Sequence, residues 1–247
     1  MFYYNNPVYY PGQNGKAVLF MHGLTSGAAQ GIPYARYLND YGYGVACVNI
    51  AGHGTYPEDL LHTEARDFIY KAEYDYRQLK AMGYDKVFIT GLSTGGLLSC
   101  VLAAMHPEIA GIIPVSAPAA LVPGSFISAE YPPEQIYFHR DPGGKEGAAK
   151  KYHIHYEDIA IKAFGALKEL IEIVKNEGIL EKVNCPVCII QAKNDNVAEP
   201  DSAPYIYEHI SSVDKTMYRP EEGGHNIILS EQRYDAFAKA LEFLEAH

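Results

Sequence analysis

Short apolar runs alternate along the chain with segments of helical periodicity. AVLFM (17–21), VACVNI (45–50), KVFIT (86–90), AGIIPVSAP (110–118), VCIIQAK (187–193) and KTMYR (215–219) each read as a strand. Between them, YARYLNDYG (34–42) reads as a helix with a glycine stop, and 64–82 as a longer helix ending at Gly83. GGLLSCVLAAMH (95–106) is apolar enough for a buried helix and is closed by Pro107. Residues 231–245 carry Tyr234, Phe237, Ala238, Leu241 and Leu244 at helical spacing, which predicts a final amphipathic helix. Strands that are apolar throughout need cover on both faces. The pattern therefore predicts an α/β fold: a mostly parallel sheet with helices on either side.

One stretch breaks the alternation. Between Pro118 and about Leu180 the sequence offers no good strand. YPPEQIYFHRDPGGKEGAAKK is polar and turn-rich, and 156–178 is a strong helix pattern stopped by Gly178. The expectation is one domain over 1–247, with 118–180 inserted between two strands as a small helical cap. There is no internal repeat or low-complexity tract.

Composition narrows the function. With 48% hydrophobic and 20% charged residues, the 247-residue chain can bury a sizeable core. A net charge of -10 without a basic run argues against nucleic acid or an anionic membrane as partner. No run approaches the length of a membrane span and MFYYNNPVYY has no leader pattern, so a soluble, cytoplasmic protein is expected. Of the four cysteines, Cys185 and Cys188 have redox-motif spacing in CPVC. That motif precedes a strand rather than a helix, which favours an edge of the core. HIH (153–155) lacks a third ligand at metal-binding spacing, so no metal and no organic cofactor are expected.

The chemistry concentrates in ITGLSTGG (89–96). Gly91, Ser93 and Gly95 form G-x-S-x-G between a strand and a helix, the setting of a serine nucleophile on a tight turn. A serine hydroxyl needs a base. His225, in EEGGHNI, lies between the last strand and the last helix, with Gly223 and Gly224 giving the loop room. The acid that orients the base belongs between the two in chain order. Asp195 directly follows the strand VCIIQA. Glu199, Asp201 and Asp214 compete with it, but Asp201 reads as a helix N-terminal acid and Asp214 as a turn residue. Backbone N–H groups for a developing oxyanion are expected from Thr94, just after the nucleophile, and from Leu24 in HGLTSG after the first long strand. His53, in GHG, reads as structural.

LFMHGLTSG, NIAGHGTYPEDL, GLSTGG, QAKNDNVAEPDSA and EEGGHNI together resemble the α/β-hydrolase superfamily, and within it the small bacterial carboxylesterases related to monoacylglycerol lipases. The likeness runs over nearly the whole chain and is weakest between about 120 and 155. It implies the α/β-hydrolase fold, a helical cap over an acyl pocket, and hydrolysis of a small-molecule carboxylic ester without a cofactor. Its nucleophile, acid and base fall on Ser93, Asp195 and His225, and its oxyanion donors on Leu24 and Thr94. The Gly- and Pro-rich cap and the threonine after the nucleophile depart from many relatives and bear on substrate size. Acyl length, alcohol and oligomeric state are not legible in the sequence.

Overall fold

The apolar runs become neighbouring strands. In the computed structural model, which describes residues 5–141 and 143–247, the strands are β1 (Val8–Tyr10), β2 (Lys16–Met21), β3 (Gly44–Val48), β4 (Lys86–Leu92), β5 (Gly111–Val115), β6 (Tyr137–His139), β7 (Asp158–Ala160), β8 (Val187–Ile190) and β9 (Lys215–Tyr218). The helices are α1 (Ile32–Asp40), α2 (Ala65–Lys80), α3 (Thr94–Met105), α4 (Gly147–Tyr152), α5 (Lys162–Asn176), α6 (Ser202–His209) and α7 (Arg233–Ala246). The main sheet runs β1-β3-β2-β4-β5-β8-β9. Every pairing in it is parallel except that of β1 with β3.

Side chains alternate across β2 and divide the core into two layers. Ala17, Leu19 and Met21 pack with buried residues of α2, α3 and α5, while Val18 and Phe20 pack with those of α1 and α7. This two-sided cover explains why β2, β4, β5 and β8 read as unbroken apolar runs.

The structure differs from the pattern-based expectation beyond the unforeseen edge strand β1. The segment 118–180 holds a two-stranded antiparallel sheet of β6 and β7, and each strand, three residues long, is too short to show a period. Its long helix, α5, is not lifted over the site: Phe164, Leu167, Leu170 and Val174 are buried in the layer that also holds α2 and α3. The stripe of α7 is also rotated. Ala236, Phe237, Ala240, Leu241, Phe243 and Leu244 are buried, whereas Tyr234 is 57% exposed and Ala238 is exposed. Tyr234 instead lies at the edge of the stripe, its ring 5.9 Å from that of Phe237. No helix among the described residues is long and apolar enough to cross a membrane.

The fold brings the C-terminal ends of β2, β4, β8 and β9 to one edge of the sheet. The loops that follow them carry HGLTSG, Ser93, Asp195 and His225. In open parallel sheets this is the edge where ligands bind.

Candidate active site

Ser93 is the single residue between β4 and α3, with φ 55° and ψ -113°. A non-glycine residue in that region costs about 1–3 kcal/mol and persists only where its surroundings hold it. Here the Ser93 N–H donates to the Val115 carbonyl at 2.8 Å, and its own carbonyl accepts from Leu97 N–H at 3.1 Å. The flanking glycines are steric requirements. A Cβ on Gly91 would overlap the Gly95 backbone, and one on Gly95 would overlap the Met21 carbonyl. The turn can be this tight only because positions 91 and 95 carry no side chain.

The loop after β2 is pinned at nearly every donor. The Gly23 N–H donates to Gln30 Oε1 at 2.9 Å, Thr25 N–H to His53 Nε2 at 2.9 Å and Ser26 N–H to the Gly23 carbonyl at 3.2 Å. The Leu24 N–H is left between them, with no partner in the hydrogen bonds of the described residues. Thr94 N–H, at the first position of α3, is free in the same sense. Two histidines fix this loop from behind. His22 Nδ1 donates to the Gly23 carbonyl at 2.8 Å, and its Nε2 accepts from Ile50 N–H at 3.1 Å. His53 Nδ1 donates to the Ala51 carbonyl at 2.8 Å. Burial holds both rings neutral. It lowers His53 to about 4, and it takes His22 well below the ordinary value, with the His53 ring adding to the effect. Neutral rings can therefore accept at Nε2 while donating at Nδ1.

Asp195 and His225, from the loops after β8 and β9, are in contact. His225 Nδ1 lies 2.9 Å from Asp195 Oδ1 and 3.0 Å from Oδ2. The carboxylate is fully buried and saturated by further donors: Val197 and Ala198 N–H on Oδ1, and Gln191 Nε2 on Oδ2 at 3.3 Å. The two loops are also stitched directly, since Asn194 Oδ1 accepts from Gly224 N–H at 2.8 Å. Gly224 has φ 61°, a conformation that lets the chain turn immediately before His225. Of the three competing acids, none bonds His225 among the described residues: Asp201 precedes α6, Asp214 pairs with His247 at 2.9 Å, and Glu199 meets Gln191 only through its backbone carbonyl.

Ser93, His225 and Leu24 open into one cavity of about 550 Å³. Part of its wall comes from 118–180, through Ser125, Phe126, Arg140 and His153. A larger hollow of about 710 Å³ lies along β9 and α7, but none of these three residues reaches it. Size alone would pick the wrong cavity; the convergence of polar groups picks the smaller one.

A strained serine turn, an imidazole paired with a buried carboxylate and the unpaired Leu24 N–H thus meet at one cavity. The pattern of the hydrolase family described as serine aminopeptidase, S33, matches residues 12–233. The chain belongs to this family. It is 31% identical to a carboxylesterase of Bacillus subtilis (strain 168) over 230 residues, covering 93% of this chain and 92% of the relative. It is likewise 31% identical over 242 residues to a thermostable monoacylglycerol lipase of Bacillus sp. (strain H-257), covering 95% and 93%. Among solved structures, one from the metagenome-derived lipolytic enzymes LipS and LipT superposes with a TM-score of 0.87 at 28% identity, covering 99% of this chain and 98% of that one. These likenesses support an ester hydrolase on the α/β-hydrolase fold.

In this S33-family hydrolase the other sequence motifs have packing roles. Cys188 is buried within β8, and burial pushes the Cys185 thiol up to about 11, so neither supplies a thiolate at neutral pH. His155 donates its Nδ1–H to the Tyr156 carbonyl at 2.9 Å, and no cluster of three metal-ligating side chains occurs among the described residues. Sequence reading missed Gln191, which bonds Asp195 and also accepts from Ala203 N–H at 2.9 Å. Its only signal is a polar residue ending an apolar strand, in VCIIQA. It also missed Arg140 and His153, since nothing in the polar stretch 131–155 says which side chains turn inward.

Proposed function

We propose that this chain is a serine carboxylesterase acting on carboxylic esters of small to medium acyl chains. In this reading 1–247 is one α/β-hydrolase domain, and the insertion 118–180 caps its site through the part before α5, which supplies Phe126, Arg140 and His153 to the cavity wall. The observation that carries it is the Asp195–His225 contact at 2.9 Å, with His225 sharing a cavity with Ser93. With Nδ1 committed to Asp195, the imidazole keeps Nε2 for the serine hydroxyl. Ser93 Oγ attacks the ester carbonyl carbon while His225 takes its proton. The tetrahedral oxyanion is held by the N–H groups of Leu24 and Thr94, each worth ~10²–10³ in rate. His225 then returns the proton to the leaving alcohol as the C–O bond breaks. Water, deprotonated by His225, attacks the acyl-enzyme and releases the acid. Asp195 holds the ring tautomer and steadies the imidazolium.

The family's description as an aminopeptidase is a weaker guide to the substrate. A free amino terminus is cationic and calls for a carboxylate in the site. Among the described residues the cavity wall carries Arg140 and no Asp or Glu. A thioesterase, lactonase or feruloyl-type esterase would use the same five groups, and monoacylglycerol lipase activity is a matter of alcohol choice. A fluorophosphonate probe tests the chemistry: it is expected to label the wild type and not S93A. Aryl esters and thioesters of increasing acyl length then separate the substrate classes. An unlabelled wild type, with no ester turnover, would favour a ligand-binding relative without catalysis.

A further inference from the structure

Arg140 stands apart from the rest of the cavity wall. It follows β6 and opens into the cavity that holds Ser93 and His225. Its backbone N–H donates to the Glu157 carbonyl at 2.7 Å, which fixes the chain there. Its guanidinium lies 5.0 Å from the centre of the Phe126 ring, which is itself stacked with Phe138 at 5.5 Å. The arginine is therefore placed by packing, in a cluster that also includes Phe164. What it lacks is a counter-ion. No carboxylate pairs with it, and no acceptor takes its side-chain donors, among the described residues.

That arrangement is costly unless a ligand completes it. A guanidinium stays charged at any ordinary pH, and partial burial without a partner leaves its desolvation uncompensated. Burial lowers the affinity of Arg140 for its proton, and no carboxylate opposes the effect. Its field reaches the neighbours: with burial, it helps to keep Lys145, His153 and His155 below their ordinary values. The chain as a whole carries a charge of -10. Yet among the described residues lining this cavity there is one fixed cation and no carboxylate; Asp195 is hidden behind His225. An acidic protein thus presents a positive end to its own substrate cavity.

Building on the serine-esterase reading, we propose that Arg140 is a specificity-determining residue, and that the substrate is a carboxylic ester bearing an anionic group, carboxylate or phosphate, away from the scissile carbonyl. The ester carbonyl sits over Ser93 on the sheet side. The anionic end reaches the cap wall, where the guanidinium offers two parallel donors to a pair of anionic oxygens. Such an interaction also offsets the repulsion between a charged substrate and the oxyanion formed during reaction.

The test compares kcat/KM for matched anionic and neutral esters. One pair carries the charge in the acyl part: p-nitrophenyl hemiglutarate against its methyl ester. The other carries it in the alcohol: a 1-acylglycerol 3-phosphate against the corresponding monoacylglycerol. The wild type is expected to favour the anionic member of at least one pair, and the favoured pair names the source of the charge. R140Q is expected to lower that anionic-to-neutral ratio by ~10–100-fold, the range of a charge-assisted hydrogen bond, and R140K to retain part of the preference. A wild-type preference for the neutral member of both pairs overturns the assignment. So does a ratio unchanged in R140Q, which would leave Arg140 with its packing on Phe126 alone. Neutral turnover in either case leaves the Ser93 chemistry standing, whereas absence of hydrolysis and of fluorophosphonate labelling removes both.

Discussion

The Thr25 N–H donates to Nε2 of His53 across 2.9 Å, and Thr25 itself has φ 66°. A threonine in the left-handed region is strained by about 1–3 kcal/mol and has to be held there. The His53 ring holds it from one side, and the Tyr156 N–H, donating to the Thr25 carbonyl at 3.2 Å, from the other. The consequence falls on Leu24, whose N–H is left pointing free between two tied neighbours.

In the proposed mechanism His53 is thus a positioning residue for the Leu24 N–H. H53L removes the acceptor for Thr25 and lets the loop relax. The expected result is a fall in kcat of up to ~10², as for loss of one oxyanion donor, with KM for a neutral ester little changed. H53Q presents an amide oxygen in place of Nε2 and should recover part of the rate. Steady-state kinetics of a folded H53L with wild-type kcat would remove this role.

Gly95 admits no side chain. A Cβ there meets the backbone carbonyl of Met21, which cannot rotate aside. G95A must therefore push α3 away from β2 and carry Ser93 with it. A loss of ~1–3 kcal/mol in stability is expected, the usual cost of overpacking, together with at least a tenfold loss of fluorophosphonate labelling rate, since misplacement by an ångström can cost ~10². Urea unfolding and probe kinetics measure the two effects. Wild-type values for both would mean that the turn is looser than it looks.

Gln191 ties Asp195 to the end of the sheet. Its Nε2 reaches Asp195 Oδ2, and its Oε1 accepts from Ala203 N–H at the start of α6. Q191L deletes these bonds, and with them that of Nε2 to the Glu199 carbonyl at 3.1 Å, at similar bulk, and leaves the buried Ala203 N–H unpaired, at ~1–3 kcal/mol. Turnover should fall, though by less than the ~10⁴ expected for D195N, because two backbone donors still hold Oδ1. Denaturant midpoints and kcat for Q191L and D195N side by side check the order.

The sheet and the turn at Ser93 were legible because their signals are local. G-x-S-x-G needs only its neighbours to declare a turn, and strands buried on both faces declare themselves by composition. Signals that depend on distant partners stayed hidden. The edge strand Val8–Tyr10 is only partly buried on β3, and its sequence VYY is apolar or aromatic throughout and too short to show the alternation of its faces. β6 and β7 owe their pairing to each other across the turn-rich 140–157. Tyr234 looks core-facing by spacing, yet the centre of the α7 stripe is set by what Phe237, Ala240 and Phe243 meet on α1 and the sheet. Arg140 and Gln191 gain their meaning only from the cavity and the carboxylate beside them.

Stability should fall with acid earlier than the carboxylates alone would dictate. Burial lowers His53 and His155 to about 4, and with the His53 ring it takes His22 well below the ordinary value. In the unfolded chain these rings take up protons near pH 6.5. A folded-state value below the unfolded one means the unfolded state binds more protons between the two. The stabilisation is therefore complete above about pH 6.5 and is lost as pH falls toward about 4. For the fully enclosed rings of His53 and His22 the slope is about 1.4 kcal/mol per pH unit each. Unfolded carboxylates titrate mainly below about 4.5, so the interval from pH 6.5 to 5 isolates the histidines. Urea midpoints over that interval should drop steadily in the wild type and less steeply in H53Q, which has one such ring fewer. Equal slopes in the two proteins would mean that His53 accepts a proton in the folded state, and with it that its Nε2 is not reserved for Thr25.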